Sequence, residues 1–140
     1  MSKFTHRENC IRAAAAIDCN GTISLRDGYY IICRIDTVKD DYQRWLLKEF
    51  GGKLGTYARN KNKKSKWNQR PERITWVVYQ EDAVDFLGQI APFLLTKKEQ
   101  AELMVELGKE QEAVGSSLSV AEKQELWSEY AKKMKMLNKI

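Results

Sequence analysis

One histidine, two prolines and three cysteines are all the chain holds of these residues in 140 positions, and each scarcity closes off a class of chemistry. His6 is the sole imidazole, so Ser-His and Cys-His nucleophilic arrangements and metal-histidine nuclease centres are excluded unless that one ring, near the start of the chain, supplies them. Cys10, Cys19 and Cys33 form an odd set without paired spacing, which argues against a disulfide framework and against a structural zinc site. No apolar run approaches the ~20 residues that cross a bilayer. Met1 to Arg7 lack the apolar stretch of a signal peptide, and the expectation is a soluble, intracellular protein.

What is present points elsewhere. A hydrophobic content of 43% is enough for one core, and the length suits a single domain. The net charge of +5 is modest, but its excess is concentrated. Arg59, Lys61, Lys63, Lys64, Lys66, Arg70 and Arg73 crowd one segment, opposed there only by Glu72. Such a run suits a solvated loop. This one also carries Trp67, whose ring stacks on bases, and Asn60, Asn62, Asn68 and Gln69, whose amides match base edges, so nucleic acid is the leading partner.

Periodicity and punctuation predict a helix from Thr5 to Cys19, then strands from Gly21 to Arg26 and Tyr29 to Ile35 joined by the hairpin signal Asp27-Gly28. Alternation sends Ile31, Cys33 and Ile35 to the core and Tyr30, Ile32 and Arg34 outward. A second helix is expected from Val38 to Phe50, capped by Asp36 or Thr37 and stopped at Gly51-Gly52. Two more strands, Lys53 to Arg59 and Arg73 to Tyr79, flank the basic segment as a long loop, with Pro71 near the strand entry. A helix from Glu81 to Ile90 ends before Pro92. Thr96 with Glu99 reads as a capping box for a helix to Glu112, and Ser119 with Glu122 as one for a helix to Leu137. Residues 114–140 thus form a helical extension expected to pack on the domain of residues 1–113.

The segment Ala13-Ala14-Ala15-Ala16-Ile17-Asp18-Cys19-Asn20-Gly21, followed by Thr22-Ile23-Ser24-Leu25, joins a small-residue helix to a strand through an acidic-then-glycine turn. Four alanines give high helix propensity and almost no bulk, which lets another helix approach to backbone contact. An ordinary buried helix explains them as well, and Asn20-Gly21 also suits a plain helix C-terminus. The segment resembles the signature of the LAGLIDADG homing endonucleases. The order of elements resembles that family's αββαββα core from about Arg7 to Glu112. Gly51-Gly52-Lys53, Ile74-Thr75-Trp76 and the run from Ile90 through Pro92, Phe93, Leu94 and Lys97 to Leu103 are similar in the same order.

The resemblance implies an α+β fold, an αββαββα saddle with C-terminal helices. One motif in the chain implies a homodimer, with Ala13, Ala14, Ala15, Ala16 and Ile17 at a self-complementary seam and the sheets lying along double-stranded DNA in its major groove. Asn20 and Cys19 match the family's metal-binding end of the motif, Asp18 its helix-end and interface acid, and Lys97 the basic residue beside the scissile phosphate. Read alone, Lys97 is equally a first-turn helix residue. Lys39 or Gln43 matches a further polar pocket residue. Arg26, Tyr30, Arg34, Lys53, Arg59, Lys61, Lys63, Lys64, Lys66, Trp67 and Arg70 are the candidates for DNA contact. Where the family places Asp or Glu this chain has Asn20, whose neutral amide is a poorer ligand for Mg²⁺ than a carboxylate. The expectation is therefore DNA binding with cleavage impaired or absent; the alternative is a non-cleaving protein on the same fold, an RNA-splicing maturase or a transcriptional regulator.

Overall fold

The computed structural model describes residues 4–37, 41–57, 73–115 and 117–139. Helix α1 (His6–Asn20) opens at a reciprocal cap: the Thr5 hydroxyl accepts from Glu8 N–H at 3.1 Å, and the Glu8 carboxylate accepts from Thr5 N–H at 3.2 Å. Strands β1 (Gly21–Arg26) and β2 (Tyr30–Thr37) follow as a tight hairpin. Its turn residues Asp27 and Gly28 have φ of 57° and 81°, the left-handed pair that matches the twist of the strands. Then come α2 (Asp41–Phe50), β3 (Lys53–Tyr57), β4 (Arg73–Tyr79), α3 (Gln80–Ile90), a single 3₁₀ turn at Ala91–Phe93, α4 (Lys98–Val114), α5 (Val120–Leu126) and α6 (Ser128–Leu137). The four strands make one antiparallel sheet in the order β1-β2-β4-β3.

Helices cover one face of that sheet. Ile23, Ile31, Cys33, Ile35, Trp76 and Val78 point into the core, against Cys10, Ala13, Ala14 and Ile17 of α1, Phe86, Leu87 and Ile90 of α3, and Met104 and Leu107 of α4. Large apolar side chains buried in this way contribute about 1.5–3 kcal/mol each. Trp76 is wholly enclosed, its ring centroid 4.9 Å from that of Phe86, and its indole N–H is satisfied by Gly51 O at 2.8 Å. The chain turns so sharply from α1 into β1 that a Cβ on Gly21 would lie 2.8 Å from Ile17 Cα and 2.9 Å from its carbonyl oxygen, in the last turn of the same helix. Gly21 is extended, at φ −88°, so contact distance and not a left-handed conformation requires glycine there.

Several expectations are corrected. β2 runs two residues further than expected, to Thr37, and the described part of α2 is Asp41–Phe50; the expected helix start at Val38, with Asp36 or Thr37 as its cap, lies outside the described residues. The hydroxyl of Thr96 makes no capping box with Glu99, since α4 starts one residue later, after Lys97, and the hydroxyl donates to Asp18. The predicted last helix divides at Trp127, whose backbone leaves helical angles (φ −106°, ψ 20°) and whose ring joins the core. The Ser119–Glu122 capping box is present.

The C-terminal helices lie against the sheet. Trp127 and Met134 belong to the main core. Three side-chain amides also reach back to main-chain carbonyls of the first hairpin: Asn138 to Ile23 at 3.1 Å, Gln124 to Asp27 at 3.0 Å and Gln111 to Tyr29 at 2.7 Å. Among the described residues no helix is long and apolar enough to cross a membrane.

The alanine run is mostly interior. Ala13, Ala14, Ala16 and Ile17 are buried within the subunit, and only Ala15 of the five is exposed. Ala14→Leu should therefore overpack the core and lower unfolding stability by about 1–3 kcal/mol, whereas Ala15→Leu should stay within about 0.5 kcal/mol of the parent. Urea unfolding of both variants at equal, dilute concentration checks the contrast.

Candidate functional site

At the C-terminal end of α1 an anion and a cation are exchanged with the start of α4. The Asp18 carboxylate accepts from Leu95 N–H at 2.8 Å, Thr96 N–H at 3.1 Å, the Thr96 hydroxyl at 3.0 Å and Lys97 N–H at 3.0 Å. In return the Lys97 ammonium donates to Asp18 O at 2.9 Å. Negative charge thus meets the positive end of α4 and positive charge the negative end of α1, each complementing a helix dipole. Partial desolvation works against ionising Asp18, but the four hydrogen bonds outweigh it and hold its carboxyl below the usual carboxylate range. Behind the clamp, burial pushes the Cys33 thiol up to about 12, partly offset by the charge of Lys97.

Asn20 and Cys19 follow directly, both exposed where α1 passes into β1. Asp18, Asn20 and Lys97 are thus brought to one corner of the molecule, but their roles diverge. Asp18 commits its lone pairs to residues 95–97 and is a structural anchor. That leaves the neutral amide of Asn20 and the main-chain carbonyl of Cys19 as the oxygen donors for a cation. Mg²⁺ takes hard, preferably anionic oxygens, and no group of three or more His, Cys, Asp or Glu stands together among the described residues. This donor set does not fit Mg²⁺.

The outer face of the sheet is different in character. Arg26 and Tyr30 face each other across the first strand pair, with the guanidinium 4.6 Å from the ring centroid. Tyr30 lies 5.7 Å from Tyr79 on β4, and the Lys53 ammonium of β3 lies 5.9 Å from the Tyr79 ring. Cation, ring, ring and cation thus form a row across all four strands at the hairpin end. Towards α1, Arg34 Nε pairs with Asp36 at 3.3 Å, and the Thr75 hydroxyl donates to the other Asp36 oxygen. Of the residues expected to touch DNA, Arg26, Tyr30, Arg34 and Lys53 share this face. Tyr79, Thr75 and Asp36 join them; the same alternation that placed Arg34 outward extends to Asp36, and that of β4 from Trp76 inward places Thr75 and Tyr79 outward.

Other candidates fall elsewhere. Arg59, Lys61, Lys63, Lys64, Lys66, Trp67, Arg70 and Lys39 lie outside the described residues. Gln43 is wholly buried, donating to Thr37 and to Ile74 O at 3.0 Å, so it holds α2 to the sheet and does not line an open pocket. On α1 the surface left for a second copy is the stripe Ile11, Ala15 and Cys19, beside Leu95, which is 86% exposed.

No family model matches this chain, and no curated protein matches it. Solved structures do. The homing endonuclease I-CvuI in complex with its target, in the presence of 2 mM Ca, superposes with a TM-score of 0.65 at 18% identity over 94% of this chain and 83% of that one. The same enzyme with the I-CreI target and 2 mM Mg, its DNA not cleaved, gives 0.63 at 18% identity over 94% and 83%. The archaeal intron-encoded homing endonuclease I-Vdi141I complexed with DNA gives 0.64 at 14% identity over 95% and 86%. The chain therefore has the LAGLIDADG homing-endonuclease fold.

The clamp predicts a pH signature. Asp18→Asn leaves N–H groups facing an amide and should cost about 1.5–3 kcal/mol near neutral pH. A depressed folded pKa adds stability that is complete above the ordinary carboxylate value of about 4 and is lost as pH falls through the lower folded value. Unfolding curves of wild type and variant should hence converge below about pH 4; a gap that persists unchanged into acid contradicts the assignment.

Proposed function

We propose that this chain is a sequence-specific double-stranded DNA-binding protein of the homing-endonuclease type, working as a homodimer, with phosphodiester cleavage absent or strongly reduced. The observation that carries this reading is the outer sheet face, where Arg26, Arg34 and Lys53 flank Tyr30 and Tyr79. It lies on a fold whose solved neighbours hold DNA. Side chains on alternate strand positions suit the width of a major groove. The basic residues from Arg59 to Arg70 add charge for phosphates. The exposed stripe Ile11, Ala15 and Cys19 on α1 supports a self-complementary pairing, since an apolar Ile11 gains by burial and the small Ala15 and Cys19 let two helices approach closely.

The loss of cleavage rests on Asn20. With Asp18 committed to the α4 clamp, the corner offers no free carboxylate among the described residues to hold Mg²⁺ against a phosphate. Binding without cutting is compatible with the fold, as the I-CvuI complex with uncut DNA in Mg illustrates for that enzyme. Lys97 remains there to offset phosphate charge, although part of its donor capacity is taken by Asp18 O.

The test begins by selecting a preferred site from random duplexes and adding Mg²⁺ to the complex. The protein should bind and cut little or not at all; Asn20→Asp should gain cleavage of both strands, and Lys97→Ala on that background should slow it again. Robust cutting by the Asn20 protein would overturn the reading. Replacing Lys61, Lys63, Lys64 and Lys66 together should flatten the slope of log affinity against log salt by roughly one for each phosphate no longer neutralised. Sedimentation with DNA present should find a dimer that Ala15→Leu shifts towards monomer, and a monomeric parent would refute the two-fold arrangement.

A further inference from the structure

We propose that Asp36 and Thr75 fix Arg34 as a guanine reader, so that each half-site carries an obligatory guanine; this rests on the DNA-binding reading above. Arg34 is half exposed in mid-sheet, opposite Thr22 on β1 and Val77 on β4, short side chains that leave the guanidinium uncovered. The ion pair to Asp36 engages Nε at 3.3 Å, so the two terminal nitrogens point their donors elsewhere. Two parallel donors at fixed spacing match O6 and N7 of guanine, and no other base presents two acceptors in the major groove.

An exposed Arg–Asp pair adds almost nothing to folding stability, and a carboxylate on a face meant for phosphates is a liability. Its placement is explained if its task is to hold the arginine. Asp36 is itself held: it lies directly opposite Thr75 in the β2–β4 register, and the Thr75 hydroxyl occupies the oxygen that Arg34 does not use. With both oxygens engaged, Asp36 has little capacity left to accept from a cytosine amino group on its own account. Arg26, by contrast, lies over the Tyr30 ring, an interaction that fixes no donor direction. Rigid strands, a buttressed carboxylate and a buttressed guanidinium give the pre-organisation that base discrimination needs.

Site selection on wild type, Arg34→Gln, Asp36→Asn, Thr75→Val and Thr75→Ser tests the assignment, with thermal melts to verify folding. Wild type should return one fixed guanine per half-site. Arg34→Gln should lower that preference about tenfold or more or exchange it for adenine. Asp36→Asn and Thr75→Val should blur the preference at that same position while leaving the salt slope unchanged, and Thr75→Ser should keep it. A sharp guanine preference in Asp36→Asn, or a change at a position other than the one Arg34 controls, overturns the buttress. Absence of any salt-dependent duplex binding by wild type would sink the DNA-binding reading itself, a result distinct from binding without a fixed guanine, which sinks only the present assignment.

Discussion

The clamp between Asp18 and residues 95–97 is the interaction on which the arrangement of the candidate site depends. It joins the end of α1 to the start of α4 across 77 to 79 positions of sequence. It uses both partners twice, since Asp18 accepts at its carboxylate and at its carbonyl while Lys97 donates from main chain and side chain. Because Asn20 follows two residues after Asp18, the position of its amide relative to Lys97 is inherited from this clamp. Without the anchor the corner would be misplaced and the fold weakened together.

A comparable division of roles governs the sheet. One face is apolar and closed mainly by α1, α2 and α3, with α4 packed on α3 behind them; the other is left to Arg26, Tyr30, Arg34, Asp36, Thr75 and Tyr79. Strand alternation makes the two faces independent, so the outer residues vary without disturbing Trp76 or its neighbours. On the proposed reading, binding preference and folding stability reside in different side chains of the same four strands.

Much of this was legible in the sequence. Asp27-Gly28 and Ser119 with Glu122 are local signals whose partners lie within three residues, and the turn and the helix start that they mark fall where expected. Outward and inward residues of β2 follow from alternation alone. What escaped was non-local. Thr96 with Glu99 has the form of a capping box, but an ionised carboxylate on another helix, Asp18, accepts the Thr96 N–H that Glu99 would have taken. The alanine run suggested a helix partner, yet four of its five candidates pack inside the subunit, because α1 also lies against the sheet and α3. Trp127 divides a helix that periodicity left continuous, since its ring is drawn into the core.

The amides of Asn138, Gln124 and Gln111, donated to carbonyls of β1 and its turn, have a consequence for solubility. Among the described strands β1 is at the edge, pairing only with β2, and an uncovered edge invites a strand from another molecule. Asn138 takes up the Ile23 carbonyl of that edge strand, and Gln124 and Gln111 take up carbonyls of the adjoining turn, so the C-terminal segment works as a seal against edge-to-edge aggregation. Shortening the chain before Asn138 would unseal the edge while leaving the core intact, and the first symptom would be self-association through β1 and not unfolding.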